Sequence, residues 1–339
     1  MFKDNDILAF TLAHPEGAEP ASFTTAQGLT LDIWDSGIFC LTPPNPGRKD
    51  IILSCGVHGN ETAPIEIVRD LAKALLSGQL PLAHRLLILI GNPPAINAGK
   101  RELEENLNRL FSGAHAKGGS DNGERRRAKA LEEAVARFYN ARPGAERQDA
   151  LRLHYDLHTA IRGSRHEKFV VYPFLHGKPR SREQVMFLAA CGVDTVLLSE
   201  SPTTTFSYFS TQQFAAHGFT VELGKVRPFG ENDMSRFAAA AQSLAALVSQ
   251  AELVLPPYDE TKLNLYRISR VINKTSEAFR FTFGEDVENF TPFPQGHLLA
   301  QDGDLEHRVA LAEEAVIFPN AKVAIGQRAC LLVTRTQLD

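Results

Sequence analysis

The chain has 339 residues, 43% hydrophobic and 22% charged, the make-up of a soluble globular protein with one large domain or a large and a small one. A formal net charge of −4 offers no bulk positive field to nucleic acid or an anionic membrane. No signal-peptide core opens "MFKDNDILAFTLAHPEGAEP", no run reaches the roughly 20 apolar residues of a membrane span, and Cys40, Cys55, Cys191 and Cys330 make no C-x-x-C pair. These features lead us to expect a cytoplasmic enzyme or binding protein, with no disulfide framework or cysteine zinc knot and no nucleic-acid or membrane partner.

From about residue 50 to 255 the pattern alternates strand and helix. "DIILSCG" reads as a buried strand, "TAPIEIVRDLAKALLSGQL" as a helix ending near Gly78, and "RLLILIGN" as a second buried strand. Near-continuous apolar strands separated by a helix predict parallel pairing with both faces covered. "SGAHAKGGSDNGE" predicts a mobile surface loop and "RRRAKALEEAVARFYNA" a helix. The basic run opening that helix is read as a solvated face rather than an RNA-binding patch. "RLHYDLHTA", "EKFVVYPF", "DTVLLSE" and "HGFTVELGKV" predict further strands, and "MSRFAAAAQSLAALVSQAEL" a long helix.

Pro256 and Pro257 punctuate a change of character. The short runs "LNLYRISRVI", "FRFTFG", "HLLAQD", "EAVIFP" and "ACLLVTRT" predict an antiparallel β domain. The expected fold is therefore α/β: a mixed, mostly parallel sheet flanked by helices over residues 1–255, with a smaller all-β domain over residues 256–339.

In "IILSCGVHGNETAP", His58 and Glu61 fall just past a strand end, where open α/β sheets gather ligands. Both residue types bind zinc, and a catalytic zinc commonly has three protein ligands and an open water position. H-x-x-E spacing alone is more often an ordinary surface pair. In "HYDLHTA", His154 and His158 are both candidates for a third ligand: His158 stands at the end of the apolar run, where a metal would lie, and His154 lies deeper, as a hydrogen-bonded core histidine would. They share a strand face with Asp156, which could orient a metal-bound imidazole or pair with an Arg. "GNPPAINAGKRELEENLNRLF" brings Arg101, Asn108 and Arg109 past another strand end. Arg's planar fork suits a carboxylate-bearing substrate, although Glu–Arg pairs on a solvated helix would look the same. In "TVELGK", Glu222 follows an apolar strand, where a carboxylate could deprotonate a zinc-activated water and later protonate a leaving amine, or simply lie exposed at a strand edge. No G-K-[ST] follows Gly56 and Gly59, so a nucleotide-binding reading is set aside.

Taken in order, "GVHGNETAP", "NPPAINAGKRELEENLNRLF", "DLHTAIRGS" and "VELGKV" resemble the aspartoacylase and succinylglutamate desuccinylase family, relatives of the zinc carboxypeptidases. The resemblance spans nearly the whole chain and includes the C-terminal β domain. It implies one Zn2+ per subunit held by His58, Glu61 and His158. It also implies substrate binding by Arg101, Asn108 and Arg109, and catalysis by Glu222. "DLHTAIRGS" and "VELGKVRPFGEND" are closer to the bacterial desuccinylases of the family than to the aspartoacylases. Where aspartoacylase uses a Tyr from its C-terminal domain, "EEAVIFPNA" has Phe318.

The implied reaction is hydrolysis of N-succinyl-L-glutamate to succinate and L-glutamate, the last step of arginine catabolism by the arginine succinyltransferase pathway. Arg101 would stabilise the oxyanion, and Arg162 and Arg165 are candidates for a further substrate carboxylate. Two alternatives are an aspartoacylase-like enzyme acting on another N-acyl amino acid and a non-enzymatic zinc-binding module. A structural zinc site should be closed by four protein ligands, and the sequence offers three with a base. Oligomeric state is not legible.

Overall fold

The structure, a computed structural model, describes residues 3–142 and 149–338. Its organising element is a sheet of 13 strands among the described residues. In chain order the strands of the first half are β1 (Ala21–Thr24), β2 (Thr30–Asp35), β3 (Ile38–Thr42), β4 (Lys49–Cys55), β5 (Arg85–Ile90), β6 (Leu151–Ala160), β7 (Phe169–Tyr172), β8 (Thr195–Leu198) and β9 (His217–Lys225). The C-terminal part adds β10 (Asn264–Asn273), β11 (Arg280–Phe281), β12 (Thr291–Pro292), β13 (Leu298–Asp302), β14 (Leu305–Arg308), β15 (Ala315–Ile317) and β16 (Arg328–Arg335). The large sheet runs β1-β2-β3-β5-β4-β6-β9-β7-β8-β10-β16-β15-β12, and β11, β13 and β14 form a separate antiparallel sheet. This is the expected mixed α/β sheet with flanking helices and a smaller β part.

Every residue of β4 and β5 is buried, as two covered faces require. On one face, Leu53, Tyr155, Leu157 and Val221 pack with α1 (Ile7–Ala13), α2 (Thr62–Leu76), α5 (Arg182–Ala190) and α7 (Ala238–Ser249). On the other, Ile52, Leu87 and Leu89 pack with α4 (Gly123–Asn140) and α6 (Phe206–Phe214). A short helix α3 (Pro93–Asn97) follows β5. The α2 helix ends just before Gly78, whose φ of +76° only glycine adopts freely.

Parallel pairing dominates the centre, where β5-β4-β6-β9 and β7-β8-β10 are each parallel runs. The C-terminal strands join this sheet directly. β10 pairs in parallel with β8 along Asn264–Arg267, while its length pairs antiparallel with β16. The basic run at the start of α4 is a solvated face only in part: Arg126 and Lys129 are exposed, whereas Arg125 and Arg127 turn inward. Arg125 pairs with Glu105, and Arg127 donates to the backbone oxygens of Gly91, Ser36 and Ile90, tying α4 to the sheet.

Asp302, at the end of β13, accepts from Thr275 N, Thr275 Oγ1 and Ser276 Oγ. Desolvation would raise its pKa, but the Ser276 and Thr275 hydrogen bonds outweigh it and hold the carboxyl at about 2. A depressed carboxylate stabilises the fold above its unfolded pKa of about 3.9 and loses that contribution as pH falls towards the folded value. Asp302→Asn should therefore lower the melting temperature at neutral pH and flatten its fall between about pH 4 and 2, as thermal melts across that range would show.

Candidate active site

Strands β4, β6 and β9 are parallel neighbours, so their carboxyl ends open at one place. The register sets Ser54 beside Asp156 and His158 beside Glu222. With the two-residue alternation of β6, this puts Ser54, His154, Asp156, His158 and Glu222 on one face. All five are buried, and together they form a polar ladder across three central strands.

Past β4 the chain turns at Gly56, whose φ is +64°. At Gly59 a Cβ would lie 2.3 Å from the Ala95 carbonyl carbon and 2.4 Å from Ile96 N. The turn carrying His58 and Glu61 is thus pressed against α3. Gly59→Ala should displace it, at a cost of about 1–3 kcal/mol for overpacking, and should lower metal content together with melting temperature. Both quantities are measurable on the purified variant.

Glu61 occupies the N-cap of α2 but makes no capping bond. Its carboxylate faces the two histidines instead: Oε1 lies 2.8 Å from His58 Nδ1, and Oε2 lies 3.0 Å from His158 Nδ1 and 3.0 Å from Thr159 N. One donor atom from each of His58, Glu61 and His158 falls within 4.8 Å of the others. The hydrogen bonds around them set which ring nitrogens face one another. Asn106 Oδ1 accepts from Asn108 N and lies 3.1 Å from His58 Nε2, so His58 must donate through Nε2. Burial lowers the His58 pKa to about 4 despite the Glu61 charge, so the ring is neutral and its Nδ1 lone pair is aimed at a carboxylate oxygen.

His158 lies between two carboxylates, with Nε2 2.8 Å from Asp156 Oδ2. Although burial opposes the charged form, Asp156 and Glu61 raise the His158 pKa well above the usual value. Two imidazole nitrogens and a carboxylate oxygen facing one another are a donor set that zinc accepts, and the residues present fit it.

The strand alternation left His154 and His158 both open, and the structure separates them. His154 is fully buried and hydrogen-bonded through both nitrogens, to Ser54 Oγ at 2.8 Å and Ser210 Oγ at 2.7 Å. Asp156 meets His158 and also accepts from Ser54 Oγ at 2.5 Å.

Glu222 is buried beside His158, and its Oε2 has no hydrogen-bond partner among the described residues. Desolvation, with Glu61 adding to it, raises its pKa to about 7 against the opposing pull of His158 and Arg101. A carboxyl in that range can exchange a proton near neutral pH.

Arg101 donates from Nη1 to Glu61 Oε1 at 2.6 Å. Asn108 uses its Oδ1 to accept from Phe206 N at the start of α6, 2.9 Å away. Arg109 donates to the Asn108 carbonyl and keeps solvent-accessible surface. Even so, burial, followed by the nearby cations of Arg328 and Arg101, lowers its pKa to about 9. A guanidinium in a crowded cleft shows both properties. Arg162, half-buried, donates to the Glu285 carbonyl of the C-terminal part. The loop carrying it is tied there by Arg165 N to Asn289 O and Asn289 N to Gly163 O.

Sequence reasoning missed Asn106, Ser54, Ser210 and Arg328. Asn106 alone carried a signal, as an Asn opening the short turn at residues 107–109. Arg328 sits 5.7 Å over the ring of Phe318, the residue noted above where aspartoacylase has Tyr.

The chain matches the succinylglutamate desuccinylase/aspartoacylase catalytic domain over residues 47–248 and the barrel-sandwich hybrid domain of the same family over residues 261–336. It belongs to the succinylglutamate desuccinylase/aspartoacylase family. A protein from Idiomarina loihiensis named succinylglutamate desuccinylase is 53% identical over 336 residues, covering 99% of this chain and 97% of that one. Crystal structures of the succinylglutamate desuccinylases from Chromobacterium violaceum and Vibrio parahaemolyticus are 40% and 38% identical, both with a TM-score of 0.87. They cover 98% of this chain each, and 98% and 95% of their own lengths. The family's hybrid domain begins just before β10, the strand that joins the C-terminal part to the large sheet.

Proposed function

We propose that the chain is a cytoplasmic zinc-dependent amidohydrolase that converts N-succinyl-L-glutamate and water to succinate and L-glutamate, the last step of the arginine succinyltransferase route. The observation that carries this reading is the meeting of His58, Glu61 and His158 donor atoms within 4.8 Å beside a buried Glu222 with an unpartnered oxygen. The choice of substrate is supported by the 53% identity to a relative named for that activity.

His58, Glu61 and His158 would hold one zinc. When bound, it supplies Lewis acidity to the amide carbonyl and acidifies a water. Glu222 takes a proton from the attacking water and returns it to the departing amide nitrogen. Arg101, beside Glu61, supplies positive charge where the oxyanion develops. With zinc in place, Asn106 and Asp156 would hold the two imidazoles with Nδ1 unprotonated and Nε2 donating.

N-succinyl-L-glutamate carries three carboxylates, and a desolvated charge without a partner is costly. Arg109 and Arg162 are the anchors for its two ends, and the Arg328 cation adjoining Arg109 adds to the field. Arg109→Lys keeps the charge and loses the bidentate fork, so KM should rise. For Arg162 the measurement is kcat/KM on N-succinyl-L-glutamate against N-butyryl-L-glutamate, which lacks the distal carboxylate. Wild type should strongly prefer the former and Arg162→Ala should lose that preference. An unchanged ratio assigns the role to another cation such as Arg165. The reading as a whole is tested by metal analysis together with hydrolysis of N-succinyl-L-glutamate, N-succinylarginine and N-acetyl-L-aspartate.

A further inference from the structure

A line of hydrogen bonds leaves the candidate metal centre and runs through the sheet to α6. His158 Nε2 meets Asp156 Oδ2 at 2.8 Å, and Asp156 Oδ1 accepts from Ser54 Oγ at 2.5 Å. Ser54 Oγ meets His154 Nε2 at 2.8 Å, and His154 Nδ1 meets Ser210 Oγ at 2.7 Å. The exposures of Ser54, His154, Asp156 and Ser210 are 0% and that of His158 is 2%, so water does not complete these contacts.

The direction of each bond follows from donor counting. An ionised Asp156 only accepts, so Ser54 directs its single proton to Asp156 and must accept from His154 Nε2–H. The remaining His154 nitrogen, Nδ1, then accepts from the Ser210 hydroxyl. Every donor in the line is oriented towards Asp156, which leaves His158 to donate through Nε2 and to turn Nδ1 to Glu61. The helix is seated closely enough to do this because β9 has Gly218 opposite it, where a Cβ would lie 2.4 Å from Ser207 O. The first residue of the same helix is bonded to Asn108 Oδ1, so α6 touches both the segment carrying Arg109 and the support of His158.

We propose that Ser54, His154 and Ser210 are positioning residues for the zinc centre, acting through Asp156 to fix the tautomer and orientation of His158. This inference rests on the metal reading given under Proposed function. If the line served only to satisfy buried polar groups, it would stabilise the fold equally with and without metal. A positioning role instead sets metal affinity. The partners behind a metal-bound histidine typically change affinity by about 10–100-fold.

The test is the zinc dissociation constant, by competition with a chelating dye, and the difference in melting temperature between zinc-loaded and zinc-stripped protein. Ser54→Ala should weaken zinc binding about tenfold or more and shrink that difference. Ser54→Thr, which keeps the hydroxyl, should restore most of both. Ser210→Ala, one step further out, should move both in the same direction by less, and it decides the matter if Ser54→Ala does not fold. Wild-type zinc affinity in Ser210→Ala and in any folded Ser54→Ala, with melting lowered equally in loaded and stripped protein, overturns the inference. A wild type that binds no zinc overturns the metal reading instead.

Discussion

Glu222→Gln should bind zinc and substrate as the wild type does and lose about 10²–10⁴-fold in kcat, the usual contribution of a positioned general acid–base group. The substitution is nearly isosteric, and the side chain is buried beside His158 in the strand register, so packing should survive. Glutamine cannot take a proton from water. The carboxyl it replaces has an oxygen with no partner among the described residues and a pKa raised to about 7, chiefly by burial. Both features suit proton exchange rather than structural support. Zinc stoichiometry and KM near wild type, with kcat collapsed, is the expected pattern. A near wild-type kcat would show that another group moves the proton.

His58→Ala should lose zinc and activity together. Two of three protein ligands would remain, and a catalytic zinc site normally has three. The fold should tolerate the change. Glu61 keeps Arg101 Nη1, Thr159 N and His158 as partners, so its buried charge is not stranded. Metal analysis of the purified variant and a hydrolysis assay on the same sample provide the measurement. Full zinc occupancy in His58→Ala would remove His58 from the ligand set.

The parts of this site legible in the sequence are those that depend on position along a strand. His58, Glu61, His158 and Glu222 stand at or just past the ends of apolar runs, and runs that are apolar at every position become parallel central strands. Strand alternation alone could not separate His154 from His158, because both lie on one face. What separates them is position along the strand, which the sequence does show: His158 stands near the carboxyl end of β6 and His154 lies deeper, opposite Ile52 of β4. Asn106 lies 48 residues from His58 and meets it only through space.

The α6 helix was missed for a chemical reason. In "FSYFSTQQF" the buried residues include Ser207, Ser210 and Thr211, which face a polar ladder rather than an apolar core, so the spacing of apolar residues is broken. The strands β1 and β2 escaped notice because they are half-exposed and short. The parallel join of β10 to β8 could not be read from alternation, which is the same for parallel and antiparallel edges.

The central claim is zinc-dependent hydrolysis of N-succinyl-L-glutamate at the site formed by His58, Glu61, His158 and Glu222. The most direct measurement is release of succinate and L-glutamate from that substrate by wild type, before chelation, after it, and after zinc is returned. The account predicts hydrolysis that disappears on chelation and returns with a single zinc per chain. Hydrolysis undiminished in metal-stripped protein, or none by fully zinc-loaded protein, would contradict it.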